Sequence, residues 1–278
     1  MNKEELVKKI DSVPLFVLRD VSVKEMLVVD EDAGLVFASQ HQGQVMDDCV
    51  WVEQNGWKAV TEENNLSPLA FVCERYRLMQ FKEVFTPLIQ NIPELEGDLV
   101  YYGGIAILQF FPLDEKLKEG DDRIGITAVN SVNKTSSVII KFCILHDGKV
   151  ITFPKKFASF KRMHVGKAIQ VTQNFLHVTD KVREIWKTIL SEFNKVLVDD
   201  AYANTMMDKV EIKDNYLRKK VLQKIESSTD VNLWDVFIYM MEVIEQRNFK
   251  SELHRRKKLD LISEKMFSWA IEARLINA

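Results

Sequence analysis

Cysteine is scarce in this chain of 278 residues, with only Cys49, Cys73 and Cys143. An odd number of widely spaced thiols makes neither a disulfide framework nor a zinc cluster, so the expected setting is a reducing cytoplasm. Glycine (10) and proline (6) are also few, which excludes collagen-like repeats and Pro/Gly-rich disorder. No apolar run approaches the roughly 18 residues that span a bilayer. The start, MNKEELVKKI, lacks the apolar centre of a secretory signal. The expectation is a cytoplasmic protein with no membrane partner.

Chemical signatures are missing too. There is no GxxxxGK followed by Ser or Thr, no GxGxxG and no GxSxG, which removes the usual marks of nucleotide binding and serine hydrolysis. HExxH and CxxC are absent, and His41, His146, His164, His177 and His254 stand at no metal-ligand spacing on one element. Asp47-Asp48 and Asp121-Asp122 either offer carboxylate oxygens to a divalent cation or lie in solvated loops. Cys143 sits in an apolar run and reads as a small core hydrophobe. The sequence therefore assigns no catalytic residue, no metal and no cofactor, and the expectation is a non-enzymatic protein. Scattered carboxylates acting with a metal on nucleic acid are the least implausible enzymatic alternative.

What is present is an ordinary globular balance, 46% hydrophobic and 28% charged, on a chain long enough for one large domain or two modest ones. The net charge of −3 is unevenly spread. Residues 1–100 carry 9 basic and 18 acidic side chains, residues 101–200 carry 15 and 11, and residues 201–278 carry 14 and 12. The basic excess peaks over 151–187, where Lys155, Lys156, Lys161, Arg162, Lys167, Lys181, Arg183 and Lys187 face only Asp180 and Glu184. Such a run either draws a polyanion or is a solvated face.

The N-terminal third reads as short strands and turns, with Leu35–Ser39 and Cys49–Val52 rich in strand formers. Asn55-Gly56 predicts a hairpin between WVEQ and WKAV, because both turn residues need positive φ. Phe71–Leu78 predicts a strand, and Phe81, Val84, Phe85 and Leu88 predict a short helix over Phe81–Ile89 despite Pro87. Leu99–Phe111 reads as one strong strand with a bulge or bend at Gly103-Gly104. Arg123–His146 reads as two strands around a polar turn, and Asp147-Gly148 turns the chain into Val150–Phe153. After Pro154 the period changes to that of helices. One helix carries the stripe Val182, Ile185, Trp186, Ile189, Leu190, Phe193, Val196 and Leu197, capped by Thr179 or Asp180. A second runs from about Asn204 to Glu226, Ser227–Asp230 breaks and caps, a third starts near Val231, and a fourth runs from about Lys257 to the end.

The expected fold is therefore α+β: an antiparallel, sheet-rich N-terminal and central region followed by a helical C-terminal third. The expected organisation is a core domain over residues 1–200, with a β-β-β-α unit at about 99–198, and a helical region over 201–278 packed on it.

One segment stands out, FPKKFASFKRMHVGK (Phe153–Lys167), in which Phe153, Phe157 and Phe160 interleave with Lys155, Lys156, Lys161, Arg162 and Lys167. Cations neutralise phosphates and exposed rings stack on unpaired bases, a mixture suited to single-stranded nucleic acid. The alternative is that the phenylalanines enter the core and the lysines face water. A second basic run, HRRKK (His254–Lys258, with Arg255 and Arg256), begins the last helix. Cations at a helix N-terminus oppose its dipole, so this run calls for an anionic partner unless it is solvated loop. Arg218-Lys219-Lys220 is a weaker candidate, as the polar face of its helix.

The order of these segments resembles the phage/plasmid-like protein family, a domain of unknown function found in bacteriophages, plasmids and prophages. The likeness spans roughly residues 25–270 and rests on three stretches. FVCERYRLMQFKEVF (Phe71–Phe85) is similar to the family's strand and short helix around Tyr76 and Gln80. GITAVNSVNKTSSVIIKFCIL (Gly125–Leu145) is similar to its hairpin, with Asn130-Ser131 kept and Lys134-Thr135-Ser136 in place of the usual acidic-glycine turn. NLWDVFIYMMEVIEQRN with the downstream RRKK (Asn232–Asn248, Arg255–Lys258) is similar to its late Trp-Asp helix and basic stretch. The family's Arg-His pair has its nearest match in Arg162 and His164, with Met163 between. The resemblance implies a cytoplasmic mobile-element protein and brings no established activity, cofactor or catalytic residue.

The expected function is binding of single-stranded DNA for annealing or recombination. Lys155, Lys156, Lys161, Arg162 and Lys167 would sit on phosphates and Phe157 or Phe160 on a base, with Arg255 and Arg256 as further contacts. The β-β-β-α order also resembles ring-forming single-strand annealing proteins, which implies a homo-oligomer. The alternative is a phage factor that modulates a host protein through the aromatic and Met side chains of the last third, among them Trp234, Phe237, Met240, Met241 and Phe267.

Overall fold

The computed structural model describes residues 1–30, 34–37, 49–65, 67–73, 78–114, 118–119, 121–132, 138–154 and 182–273. It confirms the α+β class, with sheets in the N-terminal and central regions and helices in the C-terminal third. The chain divides into two compact units. One comprises Pro14–Gln80 with Val132–Thr135; the other comprises Met1–Val13, Phe81–Ser131 and Ser136–Ala278. The C-terminal helices thus share a unit with the central sheet.

The smaller unit is a four-stranded antiparallel sheet of order β2-β1-β3-β4. Its strands are β1 (Phe16–Asp30), β2 (Gly34–Phe37), β3 (Cys49–Glu62) and β4 (Pro68–Cys73). The expected Asn55-Gly56 hairpin is not formed. β3 runs straight through the pair, and the register against β1 slips between Val21 and Val23, opposite Trp57 and Gln54. Two residues of β3, Asn55 and Gly56, then oppose Ser22 alone, which is a bulge. Gln80 closes the base of the unit: its Oε1 accepts from the Phe16 N–H (3.1 Å) and its Nε2 donates to the Phe16 carbonyl (2.7 Å).

The larger unit is built on an antiparallel meander of order β10-β9-β8-β6-β5, with β7 (Lys118–Glu119) paired to β8. Its other strands are β5 (Leu95–Tyr102), β6 (Ile105–Pro112), β8 (Asp122–Ser131), β9 (Ile139–His146) and β10 (Lys149–Thr152). The single strand expected over Leu99–Phe111 is a hairpin. Gly103 and Gly104 take φ of +58° and +78°, the positive pair a two-residue turn needs, and Tyr102 pairs with Ile105. Asp147 (φ +47°) and Gly148 (φ +74°) make the same kind of turn, as expected.

All of β6 and most of β8 are buried on both faces, which explains their unbroken apolar runs. One face carries the cross-strand row Leu99, Leu108, Ala128, Ile140 and is covered by α1 (Lys3–Asp11) and α2 (Phe81–Ile89). The sequence reading overlooked α1, which a capping box of Asn2 and Glu5 starts and which buries Leu6 and Ile10. The other face carries Val100, Ile107, Val129 and Ile139, and Leu253 of α7 (Glu252–Glu272) packs on that row.

The remaining helices are α3 (described over 182–195), α4 (Asp200–Lys209), α5 (Asn215–Glu226) and α6 (Leu233–Glu245). The helix expected over Asn204–Glu226 is two. Glu211 turns through φ +54°, and the Asp214 carboxylate accepts from the Leu217 N–H to start the second. The chosen apolar set of Met207, Val210, Leu217, Val221 and Ile225 is nevertheless buried throughout. α6 is capped by Asn232 with Asp235, downstream of the expected Ser227–Asp230, and α7 starts at Glu252, five residues before the expected Lys257. α3 ends before Leu197, which lies on the surface. Phe153, Trp186, Phe193, Trp234, Phe237 and Phe267 form one aromatic core linking the end of β10 to α3, α6 and α7.

Candidate nucleic-acid interface

Lys155, Lys156, Phe157, Phe160, Lys161, Arg162 and Lys167 lie outside the described residues, as do Thr179 and Asp180. The two ends of this stretch are fixed. Phe153 is fully buried and its ring lies 6.4 Å from that of Trp186. Phe153 and Val182, which flank the strongly basic stretch in the sequence, are both buried. Of the three interleaved phenylalanines, Phe153 belongs to the core.

Arg255 and Arg256 lie in the first turns of α7, where the structure supplies internal anions. Arg256 donates through Nε to Glu252 (3.1 Å) and through Nη1 to Gln109 (3.0 Å), and Nη2 bonds Asp98. Its side chain is 15% exposed. Arg255, more exposed, pairs with the same Glu252. The anionic partner that the helix dipole calls for is thus Glu252 in the first turn together with Asp98 on β5. Burial alone would raise the Asp98 carboxyl, but the Lys9 hydrogen bond and the charges of Arg256 and Lys9 outweigh it and hold it below the ordinary range. Burial lowers Lys257.

These contacts are part of a polar seam that the sequence reading missed. Asp98, Gln109, Thr127 and Lys141 are cross-strand neighbours in one row over β5, β6, β8 and β9. α7 lies over that row. Lys141 is buried and its Nζ reaches Asp260 and Glu264, each at 3.3 Å, while the Thr152 hydroxyl donates to Asp260. The only signal in the sequence was polar residues at alternate positions in otherwise apolar strands, which by itself reads as a solvated face.

Of the residues weighed for chemistry, His41, Asp47, Asp48, His164 and His177 lie outside the described residues, while Asp122 and His146 hold the fold together. Asp122 accepts from Trp186 Nε1 (2.7 Å) on one oxygen and pairs with His146 Nδ1 (2.7 Å) on the other. The His146 ring stands edge-on between Trp186 (5.4 Å) and Trp234 (5.2 Å). This ties the start of β8 and the end of β9 to α3 and α6. Among the described residues, no group of three or more His, Cys, Asp or Glu could hold a metal ion. Cys143 is buried, and desolvation pushes its thiol up to about 12. Arg218 bonds Asp208 and Asn204 and so joins α5 to α4. Trp234, Phe237, Met240, Met241 and Phe267, weighed as a partner surface, are buried in the core. No described helix is long and apolar enough to cross a membrane. No family model, no curated protein and no solved structure matches the chain.

Proposed function

We propose that this protein binds single-stranded nucleic acid through the basic–aromatic stretch between β10 and α3. The carrying observation is the charge pattern: five cations over Lys155–Lys167 with Phe157 and Phe160 among them, in a stretch whose flanks are anchored in one aromatic core. Lys155, Lys156, Lys161, Arg162 and Lys167 neutralise phosphates, and Phe157 and Phe160 offer base-stacking surfaces. Arg256 is committed to Asp98, Gln109 and Glu252 and serves the fold; Arg255, exposed at the surface, would exchange its Glu252 pair for a phosphate. The resemblance to phage and plasmid proteins supports a role on mobile-element DNA, and the β-β-β-α likeness to ring-forming annealing proteins supports annealing by an oligomer. Fluorescence anisotropy with a labelled single strand of about 30 nucleotides and its duplex tests it. The expected result is salt-sensitive binding that prefers the single strand. Flat curves for both probes would refute it.

A further inference from the structure

Where α3 ends, the chain makes a short antiparallel pair with the segment leading into α6: Val198 N–H donates to Val231 O (2.9 Å) and Leu233 N–H to Val196 O (2.9 Å). This pairing, the start of α4 and the end of α5 enclose an open cavity of about 490 Å³. Its floor is apolar, from Val198, Ile225 and Val231, all buried. Its rim is acidic, from Asp199, Asp200, Glu226 and Asp230, and no Lys, Arg or His lines it. Leu197 (69% exposed) and Tyr202 (36% exposed) stand at the mouth as uncovered apolar side chains.

The carboxylates are spread around the cavity, and no three of them form a metal-binding group. Asp199 is engaged as the cap of α4, accepting from Tyr202 N–H (2.7 Å). Asp200 is different: its Oδ1 is buried and has no hydrogen-bond partner, and a carboxylate oxygen removed from water without a partner is costly. A cation brought into the cavity would neutralise the acidic rim. The bond pattern at Leu197 adds a directional element. With Val198 and Val196 bonded to the partner segment, the Leu197 N–H and carbonyl point away from Asn232, as on the outer edge of a ladder.

We propose that this cavity docks an extended segment of a partner protein that carries Lys or Arg beside apolar residues. The cations meet Asp200, Glu226 and Asp230, the alkyl stems and apolar neighbours cover Val198, Ile225 and Val231, and the backbone adds to the Leu197 edge. The reading is independent of nucleic-acid binding, which an acidic rim disfavours.

The test is anisotropy of a fluorescein-labelled peptide alternating Lys with Leu over about seven residues, against the full chain. Expected is saturable, salt-sensitive binding that falls at least about tenfold in the isosteric variant Asp200→Asn/Glu226→Gln/Asp230→Asn, and for a peptide with Glu in place of Lys. A second variant, Leu197→Lys, alters an exposed side chain and places a cation at the mouth; it should weaken binding while circular dichroism stays that of wild type. No binding of the basic peptide, or binding unchanged in both variants, overturns the proposal. So does full displacement by spermidine at concentrations where the peptide's own affinity is no higher, which would make the cavity a site for small organic cations.

Discussion

Arg256 shows how a residue's surroundings decide its role. In the sequence it is one of four consecutive cations; in the structure it is bonded to a carboxylate on β5, an amide on β6 and a carboxylate on its own helix. Arg256→Met removes those bonds, leaving Gln109 beneath α7 without this donor and Asp98 with Lys9 alone. The expected loss is roughly 1.5–3 kcal/mol by urea unfolding, against under about 0.5 kcal/mol for Arg255→Met beside it. Equal losses would show that the seam adds nothing beyond surface ion pairing. Acid should expose the same pair. The Asp98 carboxyl is held below its unfolded value of about 3.9, so its contribution is whole above that pH and fades as pH falls through the lower folded value. Arg256→Met should therefore lose less stability than wild type between about pH 5 and pH 3, read as unfolding midpoints. Cys143, with its thiol pushed up to about 12, should resist thiol reagents in the folded protein and react at once when urea unfolds it.

At the scale of elements, the pattern of apolar residues was readable and the turns were less so. α2 appears over the residues its 3,4 spacing marks, and the stripe of α3 is buried at Val182, Ile185, Trp186, Ile189 and Phe193. Asn55-Gly56 and Gly103-Gly104 exchanged roles, the first lying at a register shift inside β3 and the second making a positive-φ hairpin turn. What selects between them is the partner: β3 pairs along β1 on both sides of Asn55-Gly56, whereas β5 and β6 pair with each other across Gly103-Gly104. The α4–α5 break escaped notice because the apolar spacing continues through it, while Glu211 and Asp214 turn and cap the chain. Close packing gives a further test within the sheet. A Cβ on Gly125 would stand 2.4 Å from both the Phe110 carbonyl oxygen and the Phe111 ring. Gly125→Ala should cost about 1–3 kcal/mol in denaturant unfolding. Gly103→Asn, in open space at a φ that Asn tolerates, should cost far less. The reverse order would mean that the sheet yields at Gly125 and the turn does not.

For the whole molecule, the α+β class followed from strands first and helices after. The division of the chain did not follow, because it depends on which distant segments meet. Residues 1–13 join the central sheet through the bridge of Asn2 to Glu96 and the ion pair of Lys9 with Asp98, while 14–80 form a sheet of their own. Of the candidate interface, the basic–aromatic stretch was legible as composition, and its anchorage at Phe153 and Trp186 was not, since a phenylalanine reads alike in a core and on a stacking surface. The central claim is that this stretch carries affinity for single strands. The most direct measurement is the slope of log affinity against log salt for a single-stranded probe, in wild type and in Lys155→Glu/Lys156→Glu. Single-strand binding releases about 0.7 counterions per phosphate contact, so the account predicts a slope shallower by at least about 1.4 and severalfold weaker binding in the variant. Identical slopes and affinities in the two proteins, or no binding by wild type at low salt, would contradict it.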